Sequence, residues 1–434
     1  MQGVYYALYR NVRDVPIQTC ISCVTEIVLF LPVSDTSRVG IVNIAIIADD
    51  LTGAADTGVQ LVRTGYRTAV VFQGVPIPSG DLDAVAFDTD SRSLPADSAA
   101  KRVLEVGHAV RNARVVYKKT DSTLRGPVAV ELAAALEATG RDRAIVAPAF
   151  PSAGRTTREG VQLVEGVPVH ETEMRDDPYT PVREGHIPTL LAEPDSSIHT
   201  LGVQEVGDPE LVRQALENAR YVVADAESDA DLEALVRAVP EPADMLWVGS
   251  AGLALALGTV YPGPHVGESP TTFAPARGIL VVVGSLSKVA REQLRRLIEE
   301  REDATPVAGR SDAVEEAVRT ARVALAEGAC AMVHSAEEED PSGSVVETLA
   351  QVAADLEREE LFDALVLTGG DTAVGVARRL GAVGIQLEGE VEPGIPVGTL
   401  IGSSPYRVVT KAGSFGEPGT LVKIVETLTQ GGKD

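Results

Sequence analysis

Cysteine is scarce, three in 434 residues. That is no disulfide framework, and it fits a reducing compartment, here the cytoplasm. Cys20 and Cys23 form a lone C-x-x-C with no second pair, weak support for metal or redox chemistry. Histidine is scarce as well, six in all, and there is no H-E-x-x-H, so a histidine-centred metal site has no support. His170, His199 and His334 read as ordinary loop or strand residues. A basic excess is missing: 38 Lys and Arg stand against 63 Asp and Glu, a net charge of -25. Nucleic acid and anionic membrane surfaces, which need cations to neutralise phosphates, are therefore not expected partners. The apolar stretch Ile27 to Val33 is far short of the roughly 20 residues that span a bilayer. Also missing are G-x-x-x-x-G-K-[ST], a G-x-G-x-x-G opening a helix, and G-x-S-x-G. These absences argue against a Walker A loop, a standard dinucleotide fold and a nucleophile elbow.

What the chain has is one theme, repeated. A short run rich in Val, Ile and Ala ends in Asp, Ser, Thr or Gly, and a helix-like segment follows. The runs are IVNIAIIADD, DAVAFDTDSR, RVVYKKTDS, RAIVAPAFPS, YVVADAES and MLWVGSAG, then ILVVVGSLS, CAMVHSAE, ALVLTGGD and YRVVTKAGS. Continuous apolar strands alternating with helices, such as Ala99 to Val110 and Val128 to Ala138, predict mainly parallel sheets covered by helices. The fold class is α/β, and the length favours two domains with an active site in the cleft between them. The Pro- and Gly-rich stretch YPGPHVGESPTTFAPARG, residues 261–278, reads as the linker. Residues 1–40 read as a poorly ordered extension, 41–260 as the first domain and 279–434 as the second. The loop-rich stretch 166–200 reads as an insertion or lid in the first.

Chemistry gathers at the strand ends, where open α/β sheets bind ligands. Asp49 and Asp50 close the first run. Neighbours on a strand point to opposite faces, so one can serve the turn while the other faces the crevice. Asp50 or Thr52 is a candidate N-cap for the following helix. DTDSR adds Asp88, Asp90 and Arg92, and KKTDSTLRG adds Lys118, Lys119, Thr120, Asp121, Ser122 and Arg125. Arg92, Lys119 and Arg125 suit a carboxylate, and an Asp can accept a proton from a reacting hydroxyl. The second half ends its strands differently: GSLS with Ser285, TGGDTA with Gly369, Gly370, Asp371 and Thr372, and KAGSFG with Gly413. Glycines before a helix let backbone N–H groups cradle phosphate. One half that holds a small hydroxy acid and one that holds nucleotide phosphates is what phosphoryl transfer needs.

Taken in order, IADDLTGAAD, DTDSR, KKTDSTLRG, APAFPSAGRT, GSLS, LTGGDTA and GIPVGTLIGSSPYRVVTKAGSFG resemble the motifs of the four-carbon acid sugar kinases, from about residue 41 to the end. The resemblance implies ATP- and Mg²⁺-dependent phosphorylation of the terminal hydroxyl of a tetronate or 3-oxo-tetronate. It implies a sugar-acid-binding domain followed by a nucleotide-binding domain. Asp50, Arg92, Lys119, Thr120, Asp121, Ser122 and Arg125 are then expected to bind the acid, with Asp50 the base and Asp49 serving the turn. Ser285, Gly369, Gly370, Asp371, Thr372 and Gly413 are expected to bind ATP, and Asp371 to assist Mg²⁺. Leu286 in GSLS and the extension of residues 1–40 depart from the family pattern. Alternatives left open are a non-catalytic ATP- or acid-binding protein and a kinase for another small hydroxy acid such as glycerate. A sugar-acid oxidoreductase or aldolase is disfavoured by the missing dinucleotide, Schiff-base and metal signatures. A homo-oligomer is compatible with the sequence.

Overall fold

The computed structural model describes residues 43–75, 80–192, 196–268, 274–328, 330–335, 344–402 and 404–431. The expected extension, with Cys20 and Cys23, lies outside the described residues. The first half begins with β1 (Ile44–Ala48), α1 (Leu51–Arg63), β2 (Thr68–Val71), β3 (Ala84–Asp88), α2 (Ala96–Val110), β4 (Val115–Lys119), α3 (Val128–Thr139) and β5 (Ala144–Ala147). An excursion follows, in which β6 (Arg155–Arg158), β7 (Val161–Val164) and β8 (Val167–Pro168) form a small antiparallel sheet. Two 3-10 turns and α4 (Ile187–Leu191) return the chain to β9 (Ile198–Leu201). Then come α5 (Pro209–Asn218), β10 (Tyr221–Ala224), α6 (Asp229–Ala238), β11 (Leu246–Gly249) and α7 (Ala251–Val260).

The second half opens with β12 (Ile279–Val283), α8 (Lys288–Glu300), β13 (Ala304–Gly309), α9 (Val314–Ala326), β14 (Cys330–Ser335) and α10 (Ser344–Glu357). It ends with β15 (Ala364–Thr368), α11 (Gly370–Arg379), β16 (Gly384–Glu392), β17 (Ile395–Ile401), β18 (Arg407–Lys411) and α12 (Thr420–Gln430). Among the described residues no helix is long and apolar enough to cross a membrane.

Each apolar run singled out in the sequence forms a strand, and these strands are buried along most or all of their length. The two sheet halves join edge to edge in the order β13-β14-β12-β15-β18-β17-β16-β2-β3-β1-β4-β11-β5-β10-β9. Pairing is parallel except at the seam, where β16 runs antiparallel to both β2 and β17, and β17 antiparallel to β18. The seam hairpin is the part the apolar-run pattern misses. β16 alternates Leu387 and Val391 with Glu388, Glu390 and Glu392, because one edge of its face is only partly covered.

Within the expected linker, residues 261–268 fold back onto the turn after α1. The N–H of Gly263 donates to the Thr64 carbonyl at 2.8 Å and that of His265 to the Gly65 carbonyl at 2.9 Å. Ala276 instead donates to the Leu428 carbonyl in α12, at 2.9 Å.

Candidate active site

Period-two alternation divides the labour of β4. Tyr117 and Lys119 point to the α1 side of the sheet, and Lys118 points to the α3 side. Lys118 is fully buried and pairs with Glu131 of α3 at 2.8 Å, while Ser91 donates to the other Glu131 oxygen at 2.6 Å. Lys118 is therefore a structural ion pair under the rim, and Lys119 is the lysine that lines the cleft. Its Nζ donates to the Thr120 carbonyl at 2.8 Å, so two of its three N–H bonds have no partner among the described residues. A side chain at Gly53 would strike it, since a Cβ there would lie 2.9 Å from Nζ.

The adjacent aspartates are also divided, but not as expected. Asp50, not Asp49, serves the turn: it is the N-cap of α1, with Oδ1 accepting from the Gly53 N–H at 2.9 Å. Asp49 is 2% exposed and lies behind Arg92, which forks onto it through Nε at 2.7 Å and Nη2 at 3.1 Å. Arg92 also reaches Asp50, through Nη1 at 2.8 Å and Nη2 at 2.6 Å, and Thr52 donates to Asp50 Oδ2 at 2.6 Å. Asp50 thus caps and faces the cleft at once. Its four contacts occupy both oxygens, which weighs against the expected role as base.

Burial disfavours the charge on Asp49, yet Arg92, Lys119 and Lys118 hold its carboxyl below the usual range. Asp121 behaves alike. Burial pushes it up, but Arg125 and Arg92 hold it well below. Arg125 donates to it through Nε at 2.8 Å and Nη2 at 3.1 Å, and Thr123 Oγ1 also bonds to it. Arg125 lies 3.7 Å from Asp177, and Gln162 donates to the Ser122 carbonyl at 2.8 Å, so the excursion does border the site. Two non-glycine residues of these motifs, Asp90 and Leu124, sit at φ 47° and 60°. Left-handed backbone of this kind concentrates at functional sites.

Asp88, at the end of β3, is 1% exposed and points away from these partners. Its Oδ1 accepts from the Asp90 N–H at 2.8 Å, and its Oδ2 has no partner among the described residues. Burial pushes this carboxyl up to about 7. The folded value exceeds the unfolded one, so the folded state keeps a proton that the unfolded chain has lost. Stability from this group is complete below the unfolded value and is lost as pH rises through the folded one. We predict that Asp88→Asn gains about 2 kcal/mol on wild type between pH 5 and pH 8, read by urea denaturation at both. A gain independent of pH would contradict this.

The second-half residues form one cluster, although they are far apart in sequence, because β12, β15 and β18 are neighbours in the sheet. Gly369 takes φ 103° at the N-cap of α11 and donates to the Lys411 carbonyl at 2.8 Å. A Cβ on Gly413 would lie 1.9 Å from Ser285 Oγ, and one on Gly284 would lie 2.0 Å from Thr372 Oγ1. Ser287 donates to the Gly413 carbonyl at 2.6 Å, while Leu286 is exposed to solvent. Ser285, Gly369, Thr372 and Gly413 thus converge on the first turn of α11, where backbone N–H groups are unsatisfied. Lys411 is buried and donates only to the Ala412 and Phe415 carbonyls among the described residues, and burial lowers it to about 8.

The two clusters meet. The cleft holding Asp50, Lys119, Ser122 and Arg125 is closed on its other side by Ala412, Ser414 and Phe415. A Cβ on Gly370 would lie 3.9 Å from Thr52 Cγ2. Burial raises the Asp371 carboxyl, and Asp90 and Asp50 across the cleft add to the rise. Asp56 also lines the cleft from α1, a place that its position in the sequence does not single out. Its helix face reads there only as small residues.

A sugar-binding N-terminal domain model matches residues 44–257 and a nucleotide-binding C-terminal domain model matches residues 280–421. The D-threonate kinase of Bordetella bronchiseptica is 39% identical over 89% of this chain and 98% of its own length. The D-erythronate kinase of Heliobacterium modesticaldum is 30% identical over 89% of this chain and 97% of its own. The crystal structure of Haemophilus influenzae protein HI1011 has the same fold, with a TM-score of 0.70 at 23% identity, covering 88% of this chain and 100% of that one. On the strength of both domain models and of relatives that align along nearly their whole length, the chain belongs to the family of four-carbon acid sugar kinases.

Proposed function

We propose that this protein is an ATP-dependent kinase for the terminal (C4) hydroxyl of a four-carbon sugar acid, a tetronate or 3-oxo-tetronate. Residues 41–260 hold the acid, 279–434 hold the nucleotide, and 261–278 join them. One observation carries the reading: a cation-bearing rim faces the 412–415 loop across a cleft, and the glycine turn at 369–370 comes up beside it against Thr52.

Lys119 has donors to spare for the substrate carboxylate, and Arg92 keeps one N–H beyond those bound to Asp49 and Asp50. Ser122, Asp121 and Arg125 border the same space and suit the hydroxyls of a short sugar acid, while Thr120 is buried beside them with its N–H on the Gly249 carbonyl at 2.8 Å. Asp50 fixes Arg92 and the start of α1. Ser285, the 369–372 turn and Gly413 form a cradle that a Cβ would fill, which suits the phosphates of ATP. Mg²⁺, when bound, would neutralise those phosphates, and Asp371 at the start of α11 would be the carboxylate to hold it. A cation there would also relieve the repulsion among Asp50, Asp90 and Asp371.

The test is ADP release with MgATP against D-erythronate, D-threonate, L-threonate, 3-oxo-tetronates and D-glycerate. Turnover on a four-carbon acid is the expected result. Turnover on D-glycerate alone, or ATP binding without turnover on any acid, would overturn the substrate class.

A further inference from the structure

We propose that Asp56 is the catalytic residue that takes the proton from the acceptor hydroxyl as phosphoryl transfer proceeds. The inference rests on the kinase reading above and names a group in that same site.

Asp56 lies on the face of α1 that includes Gly53, about one turn beyond that glycine, and this face borders the cleft. Its Oδ1 is buried and has no hydrogen-bond partner among the described residues. Few buried carboxylate oxygens in a folded protein go without a donor, and those that do ask for an explanation. The space beside this oxygen is kept open from the other half of the molecule. The turn between β16 and β17 places Gly394 opposite it, where a Cβ would lie 3.5 Å from Oδ1 and 2.8 Å from a Phe415 ring carbon. Asp56 therefore looks into the gap between the acid-holding rim and the 412–416 loop. That gap is where an acceptor hydroxyl and a terminal phosphate would meet.

Asp50, by contrast, has both oxygens committed to Arg92, Thr52 and the Gly53 N–H. Of the two carboxylates that α1 presents, only Asp56 has an oxygen ready for a new proton.

The charged groups around Asp56 tune it. Burial pushes its carboxyl up to about 7, Lys119 of β4 and Arg155 of β6 oppose the rise, and Glu390 of β16 and Asp50 add to it. The Tyr117 hydroxyl of β4, which donates to the Ser250 carbonyl, is near enough for the Asp56 charge to push it up. A base poised near the working pH combines a useful ionised fraction with a useful affinity for the proton.

The step balances as follows. The hydroxyl oxygen forms a bond to the γ-phosphorus of ATP, and the bond from that phosphorus to the β,γ-bridging oxygen breaks. The hydroxyl proton passes to Asp56 Oδ1 and then to solvent, and ADP leaves with the bridging oxygen.

The experiment is steady-state kinetics of the full chain with MgATP and each acid of the panel, across pH, for wild type, Asp56→Asn and Asp56→Ala. The expected result is a kcat lowered roughly 10²- to 10⁴-fold in Asp56→Asn, with both KM values within about threefold of wild type. Wild-type kcat should rise with pH up to a plateau above about 7, the variants should lose that limb, and formate should restore part of the activity of Asp56→Ala. Near-normal kcat in Asp56→Asn, a retained limb, or a raised KM at unchanged kcat would overturn the assignment. Should Asp56→Asn not fold, formate rescue and the wild-type profile decide, and a wild-type kcat flat across neutral pH overturns it. A wild type that binds ATP but turns over no four-carbon acid overturns the kinase reading itself, and the Asp56 role falls with it.

Discussion

Arg92→Met should be the most damaging single change at the acid-holding rim. It should cost about 3–5 kcal/mol of stability at neutral pH, the range for removing one partner of a buried pair. Asp49 is the reason. It is 2% exposed, and its oxygens take the Arg92 fork at 2.7 and 3.1 Å. Without the guanidinium, a buried carboxylate is left without its main partner. The sign of the pH dependence follows. In wild type the Asp49 carboxyl is held below its ordinary value, so its contribution is present above the unfolded value and lost as pH falls through the folded one. In Arg92→Met burial acts with less opposition, so the deficit should be largest near neutrality and shrink in acid. Asp49→Asn on top of Arg92→Met should recover part of the loss, and the double-mutant cycle measures the coupling. A deficit equal at all pH values, with no recovery, would mean that Arg92 matters for packing and not for Asp49. Acid turnover should fall with stability, because the same guanidinium holds Asp50 at the cleft.

Gly413→Ala should separate the two substrates. Its Cβ would lie 1.9 Å from Ser285 Oγ and 2.7 Å from Ser285 Cβ. Rotating the hydroxyl relieves the first clash but not the second, so either the 412–416 loop or the turn after β12 must move. Affinity for ATP should drop at least about tenfold, which is roughly 1.4 kcal/mol, while affinity for the acid stays within about twofold. Gly419→Ala is the matched control, since nothing lies within 4 Å of a Cβ there and its φ is -86°. It should leave both affinities unchanged. Isothermal titration with ATP and with the acid reads both. Equal loss for the two ligands would indicate a general disturbance of the cleft and not a nucleotide cradle.

Much of this arrangement is legible in the sequence, for identifiable reasons. A buried parallel strand reads as an unbroken apolar run, so β1, β3, β4, β12, β15 and β18 announce themselves, and their ends hold the site. Motifs as far apart as Ser285 and Gly413 gather because the strands before them are neighbours in one sheet. The role of neighbours within a motif is less legible. Which of Asp49 and Asp50 caps α1 depends on the backbone turn, which puts Asp50 in extended geometry at the cap and Asp49 beneath Arg92. Lys118 and Lys119 look alike as letters, and only the strand's alternation sends one to Glu131 and the other to the cleft. The β16–β17 hairpin escapes notice because its half-covered strands alternate apolar residues with glutamates. Asp56 escapes for a related reason. Its meaning comes from Gly394 and Phe415, which the hairpin and the 412–416 loop bring across the seam.

The most direct test of the account is where the phosphate lands. A ³¹P–¹H correlation spectrum of the product made from MgATP and the preferred four-carbon acid should couple the new phosphorus to the two protons of the terminal methylene. Coupling to a methine proton, or inorganic phosphate as the sole product, would contradict transfer to the terminal hydroxyl in this cleft.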